Sequence, residues 1–290
     1  MNEDEEVGSH GGARAGLRSR LGDDFSRRLV SGLAMGGVAA ICTFLGAAPF
    51  AALVVVITVL LSWEWGRLVH GREGDLVMAV HVFAAGGAAV LASFGYVGLG
   101  LLALPIGAIL AMLLSLGRNS MFSALGVFYT GLPAVALIWL RSDVALGLVA
   151  VIFVIVIVIT SDTAGFFAGR LMGGPRLWPR VSPNKTWAGL IGALAVSSVV
   201  AAFFWFALPG GSALRLAATG AVLSLVAQAG DLAESAIKRR FGAKDASSLI
   251  PGHGGVMDRV DGLIAAASAV ALAAFVINVH SPAHALLLGS

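Results

Sequence analysis

Val151-Ile-Phe-Val-Ile-Val-Ile-Val-Ile159 is a run of β-branched and aromatic residues without a polar side chain, and it leads directly into Thr160-Ser161-Asp162. By pattern alone such a run fits a buried strand as well as a buried helix. Its setting decides between them. The apolar stretch containing it extends from Ala145 to Ala168, which is too long for a strand and suits a bilayer-spanning helix of about 20 residues. A transmembrane barrel would alternate polar and apolar residues in segments of about ten, and no segment does so. Across the whole chain, 58% of the 290 residues are hydrophobic and 12% are charged, roughly half the charge of a soluble domain. With a mean hydropathy of +0.91, too few polar side chains remain to solvate a globule. The single cysteine, Cys42, excludes a disulfide scaffold, and the apolar content excludes disorder outside the N-terminus. The expected class is an all-α, polytopic integral membrane protein.

Nine stretches have the required length: about 29–48, 50–69, 76–95, 97–116, 120–140, 144–168, 187–208, 214–235 and 260–280. With a cytoplasmic N-terminus, 17 of the 19 Lys and Arg fall on the inside, leaving only Arg141 and Arg215 outside. This asymmetry supports the orientation and the odd number of spans. Residues 1–28 hold six acids and five arginines among several glycines, which reads as a flexible charged leader with no cleavage expected. Residues 29–140 form an N-terminal set of membrane helices. Residues 141–290 form a C-terminal set with polar cytoplasmic loops at 161–186 and 236–259, the region expected to be catalytic if the chain carries chemistry. The basic excess, with a pI of about 9.5, is modest and does not indicate nucleic acid as a partner.

The densest polar segment is Gly230 to Gly262. On a helix Asp231, Glu234, Ser235 and Lys238 share one face, and Asp258 and Asp261 share another where the ninth stretch begins. Carboxylates gathered at a membrane surface suit a hard cation such as Mg²⁺. Lys238, Arg239, Lys244 and Arg259 would offset the charge of a polyphosphate, and Pro251-Gly-His-Gly-Gly255 offers backbone N–H groups to an anion. Plain alternatives stand beside these readings. Lys238-Arg239-Arg240 is also what positive-inside anchoring produces, the glycines also suit a tight turn, and His253 also fits a structural hydrogen-bonding role. A second segment, Ser161 to Arg170, places Asp162 at the membrane boundary, where a carboxylate needs a partner or a task; an ion pair with Arg170 is the structural reading. Gly165 and Gly169 suit both helix packing and the lining of a site. Ser182-Pro-Asn-Lys-Thr-Trp187 can present Lys185 and Thr186 to a phosphate. Glu64 and His81 are intramembrane polar residues to which the sequence gives no role. It contains no Walker-type loop, no Gly-x-Ser-x-Gly elbow and no zinc-binding cluster.

Ser235-Ala-Ile-Lys-Arg239, Lys244-Asp-Ala-Ser247 and Ile250-Pro-Gly-His-Gly-Gly-Val-Met-Asp-Arg-Val-Asp261 together resemble the signature of the phosphatidate cytidylyltransferases (CDP-diacylglycerol synthases). The resemblance extends through Ser161–Arg170 and 182–189 to the layout of the spans. It implies a bacterial inner-membrane enzyme that converts CTP and phosphatidic acid into CDP-diacylglycerol and pyrophosphate, using Mg²⁺ with room for a second, monovalent cation. It also implies a homodimer among membrane lipids, with a polar cavity facing the cytoplasm. On this reading Asp231, Asp258 and Asp261 hold the metal, and Lys238 joins them in catalysis. Asp162, Lys185, Thr186, Arg239, Lys244, His253, Gly254, Gly255 and Arg259 bind substrate. The chain departs from the family pattern at Ala188, where Glu is usual, and at Gly262, where Ser is frequent. Two other readings are a CTP-dependent polyprenol or phytol kinase, and an ion-coupled transporter relaying through Asp162 and Asp231. The kinase would yield a lipid monophosphate. The transporter is disfavoured by polar groups gathered at one surface and by the lack of paired broken spans.

Overall fold

The computed structural model describes residues 30–71, 74–250 and 254–289. The leader 1–28 and His253 lie outside the described residues. Helix α1 (Val30–Leu45) turns at Gly46, whose φ of 131° suits glycine, into α2 (Ala47–His70). Then follow α3 (Leu76–Ser93, with one π turn at Val82–Gly86), α4 (Val97–Leu114), α5 (Ser120–Ser142) and α6 (Gly147–Met172). A short antiparallel hairpin, β1 (Arg176–Trp178) and β2 (Ser182–Thr186), leads to α7 (Trp187–Phe203). The chain ends with α8 (Ala213–Arg240), α9 (Met257–Ile277) and the short α10 (Pro282–Leu288). Each of the nine apolar stretches holds a helix. Among the described residues eight, α2 to α9, are long and apolar enough to cross a membrane, and α1 is shorter.

The Val151–Ile159 run lies within α6. Val151, Val154, Ile157 and Val158 recur at helical spacing among its buried residues, while Ile159 is exposed. Two boundaries differ from the sequence reading. Helix α6 runs on to Met172, so the polar segment 161–186 is helical over its first part, and α8 likewise runs to Arg240. Polar residues do not by themselves stop a helix. Gly173 and Gly174, with φ of 64° and 95°, do stop α6. At 26 and 28 residues, α6 and α8 measure about 39 and 42 Å, against a hydrocarbon core of about 30 Å. Their last turns therefore reach the polar boundary.

Small residues set how closely the helices approach. Gly189 of α7 packs on Gly165 and Gly169 of α6, where an added Cβ would lie 2.7 Å from the Gly165 carbonyl oxygen. Gly230 of α8 meets Ala265 of α9 with no room for a side chain. These close contacts, with side-chain bonds from α8 to α6, β2 and α9 and from α2 to α9, gather the C-terminal parts of α2, α6 and α8 and the N-terminal ends of α7 and α9 at one end of the bundle. At the other end Asp143 accepts from the Ala145 and Leu146 N–H groups and meets His284 Nδ1 at 3.4 Å.

Candidate active site

A cavity of about 650 Å³ opens among α6, the hairpin, α7 and α8. Its polar wall carries Asp162, Arg170, Arg176, Lys185, Gln228 and Asp231, and its apolar wall carries Phe166, Leu177 and Leu190. Lys185 comes from β2. Its Nζ lies 2.5 Å from Asp231 Oδ2 and donates to Gln228 Oε1 at 2.9 Å. The Gln228 amide donates to Asp162 Oδ1 at 3.0 Å and to Ser161 Oγ at 3.2 Å, and Ser224 Oγ also donates to Ser161 Oγ. Asp162 is thus held from α8 and not by Arg170. That arginine lies eight residues along the same helix, about 12 Å away in rise, with its guanidinium over the Phe166 ring. Gly165 and Gly169 close the α6–α7 contact and line the cavity, and Gly189 of α7 does the same from the other side. Thr186 also lines it. Its hydroxyl accepts the Gly189 N–H and caps α7.

Behind Asp231 the polar groups close up. Asp231, Glu234 and Asp261 bring one carboxylate oxygen each within 4.8 Å of one another. Asp258 stands beside this group with its oxygens already engaged. Lys238 Nζ donates to Asp258 Oδ1 at 2.5 Å, and the Gly255 and Ala246 N–H groups donate to Oδ2 at 2.8 and 3.0 Å. The Lys238 ammonium also lies 2.7 Å from Glu234 Oε2 on its own helix, and its bond to Asp258 ties α8 to α9. Glu234 is buried, and the Lys238 ammonium meets its charge from the next turn of the same helix. Three carboxylates gathered this closely repel one another unless cations compensate them. The donor set is oxygen throughout, so it fits a hard divalent ion.

The structure thus brings together Asp162, Lys185, Thr186 and Asp231 at the cavity, and Lys238, Asp258 and Asp261 behind it. Arg239, Lys244 and Arg259 are exposed at the same end of the bundle and are not among the residues that line the cavity. The Gly255 N–H is donated to Asp258, so that part of the glycine turn holds a carboxylate of the chain itself. Sequence reasoning gave no site role to Gln228, Arg176, Glu234 or Glu64. Glu234 was visible on the Asp231 face, and Glu64 was conspicuous as an intramembrane carboxylate. Ala188 is the second residue of α7 and is not part of the cavity wall.

Apolar helices, eight of them of span length among the described residues, with a carboxylate cluster and a cavity with a cationic wall at one end, mark a polytopic membrane protein. The chain belongs to the cytidylyltransferase family, whose model matches residues 26–277. Among its relatives, the phosphatidate cytidylyltransferase of Brucella suis biovar 1 is 37% identical over 246 residues, covering 83% of this chain and 90% of the relative. That of Brucella abortus biovar 1 shows the same identity and coverage. The phosphatidate cytidylyltransferase of Staphylococcus aureus (strain COL) is 38% identical over 144 residues, covering 49% of this chain and 54% of the relative.

Proposed function

We propose that the chain is a phosphatidate cytidylyltransferase. A phosphate oxygen of phosphatidic acid attacks the α-phosphorus of CTP, the α–β phosphoanhydride breaks, and CDP-diacylglycerol and pyrophosphate leave. The observation that carries this reading is the carboxylate cluster set directly behind a cavity with a cationic wall, in a chain whose relatives bear that name. Two anions must meet for this reaction, so positioning and charge neutralisation matter more than covalent catalysis.

Asp231, Asp261 and the adjoining Glu234 would hold Mg²⁺. Asp258, assigned to the same ion by the sequence reading, is joined to them through Lys238. When bound, the ion neutralises phosphate charge and favours departure of pyrophosphate. A monovalent cation beside it belongs to the same proposal. The chain's own residues supply the rest. Lys185, Arg170 and Arg176 bind and orient phosphates from the cavity wall, and Gln228 fixes Asp162 and Lys185 relative to each other. Phe166, Leu177 and Leu190 offer an apolar side to the diacylglycerol chains. Arg239, Lys244, His253 and Arg259 belong to the approach for anionic substrates. The enzyme sits in the bacterial inner membrane as a homodimer; with α1 as a ninth crossing, the N-terminus and the cavity face the cytoplasm, and 17 of the 19 basic residues lie on that side.

The test is a detergent-micelle assay with α-labelled CTP, phosphatidic acid and Mg²⁺. Label in the lipid phase with matching pyrophosphate, both abolished by EDTA, is the expected result. Folded protein that transfers no label would contradict the proposal.

A further inference from the structure

Helix α9 starts without a cap of its own. Its N-cap is Val256, whose side chain cannot accept a hydrogen bond, yet its second and fifth residues are Asp258 and Asp261. The missing acceptor comes from α2. Glu64 is fully buried, and its Oε2 accepts the Met257 N–H at 2.6 Å while Oε1 accepts the Val256 N–H at 2.8 Å. Oε1 also accepts from Ser247 Oγ at 2.5 Å, which fixes the middle of the preceding loop. The carboxylate therefore satisfies two of the N–H groups that any helix start leaves free and lies at the favourable end of the helix dipole. Gly255 completes the arrangement. A Cβ on it would stand 2.6 Å from Glu64 Oε1 and 3.1 Å from Asp258 Oδ2, so only glycine lets both carboxylates close on the turn.

We infer that Glu64 is a positioning residue: by capping α9 from α2 it sets where that helix begins, and so where Asp258 and Asp261 stand relative to Asp231 and Glu234. The inference rests on the proposed divalent-ion role of that cluster. Trp65, next to Glu64, holds the same frame, since it is buried against Met257 and Ala246 and its indole N–H donates to the Phe122 carbonyl at 2.9 Å. A contact that orients metal ligands without touching the metal typically changes metal affinity by about 10–100-fold.

The test uses the full chain purified in detergent, with Mn²⁺ as the probe and its binding read by electron paramagnetic resonance without substrate. Glu64→Gln keeps the size of the side chain but sets an amide NH₂ against backbone N–H groups. Gly255→Ala presses on the same junction from the loop side and serves if Glu64→Gln does not fold. Both are expected to weaken Mn²⁺ binding by about tenfold or more. Leu104→Ala, a remote core substitution that lowers the melting temperature, is expected to bind Mn²⁺ as the parent does, which separates positioning from general loss of stability. Parent-like affinity in both Glu64→Gln and Gly255→Ala would overturn the inference while leaving the metal site in place. A parent protein that binds no Mn²⁺ would overturn the metal reading itself, and this inference with it.

Discussion

On one face of α8, Gln228 and Asp231 look into a cavity; a turn further along, Glu234 and Lys238 are packed shut against α9. The two regions contain similar residue types under different rules. On the cavity side Lys185 and Asp162 are held mainly by other side chains, each with surface left for a ligand. On the packed side Asp258 and Glu64 each accept three fixed donors, several of them backbone N–H groups. The difference separates groups that can exchange partners during a reaction from groups that hold the frame. Asp231 and Asp261 stand at the seam between the regions.

Substitutions at the seam are the strongest way to break this contrast. Asp231→Asn and Asp261→Asn are each expected to lower turnover on the order of 10³-fold with the protein still folded. Label transfer together with size-exclusion profiles checks this, and near-parental turnover would remove the seam from the chemistry. Next comes Lys238→Met, which strands two buried carboxylates. Its expected cost is about 3–5 kcal/mol of stability, visible in thermal unfolding as well as in activity. Adding Glu234→Gln removes one of the stranded charges and should restore part of the melting temperature. On the cavity side Lys185→Met loses hydrogen bonds to charged groups worth about 1.5–3 kcal/mol. It should raise the KM for CTP about 10–100-fold with little change in melting temperature. A drop in stability matching that of Lys238→Met would erase the distinction between the regions. The smallest effect belongs at the far end of the bundle. His284→Ala, which removes a long contact to Asp143, should stay within about 0.5 kcal/mol of the parent and leave turnover unchanged.

How far the sequence carried depends on which kind of order a residue depends on. The spans were legible because hydropathy acts locally, and even the β-branched run of α6 declared itself through the length of its surroundings. Asp231 with Glu234, and Asp258 with Asp261, were legible as pairs because three residues along a helix is nearly one turn. Which pair member meets which was not legible. That depends on the close approach of Gly230 to Ala265, so Glu234 stands in the cluster while Asp258 turns to Lys238 and the loop. The reach of Glu64 to Met257 spans 193 residues of chain, and no periodicity encodes such a contact. The end of α6 was legible only to within a few residues, because hydropathy fades gradually while the glycines at 173 and 174 set the stop.

The central claim is that the cytidylyl group, and not a terminal phosphate, passes to the lipid. It is tested most directly by parallel reactions with CTP labelled at the α- and at the γ-phosphorus. The expected result is lipid-phase label from the α position alone, with the γ label recovered as pyrophosphate. Lipid-phase label from the γ position would contradict the account and mark the protein as a kinase.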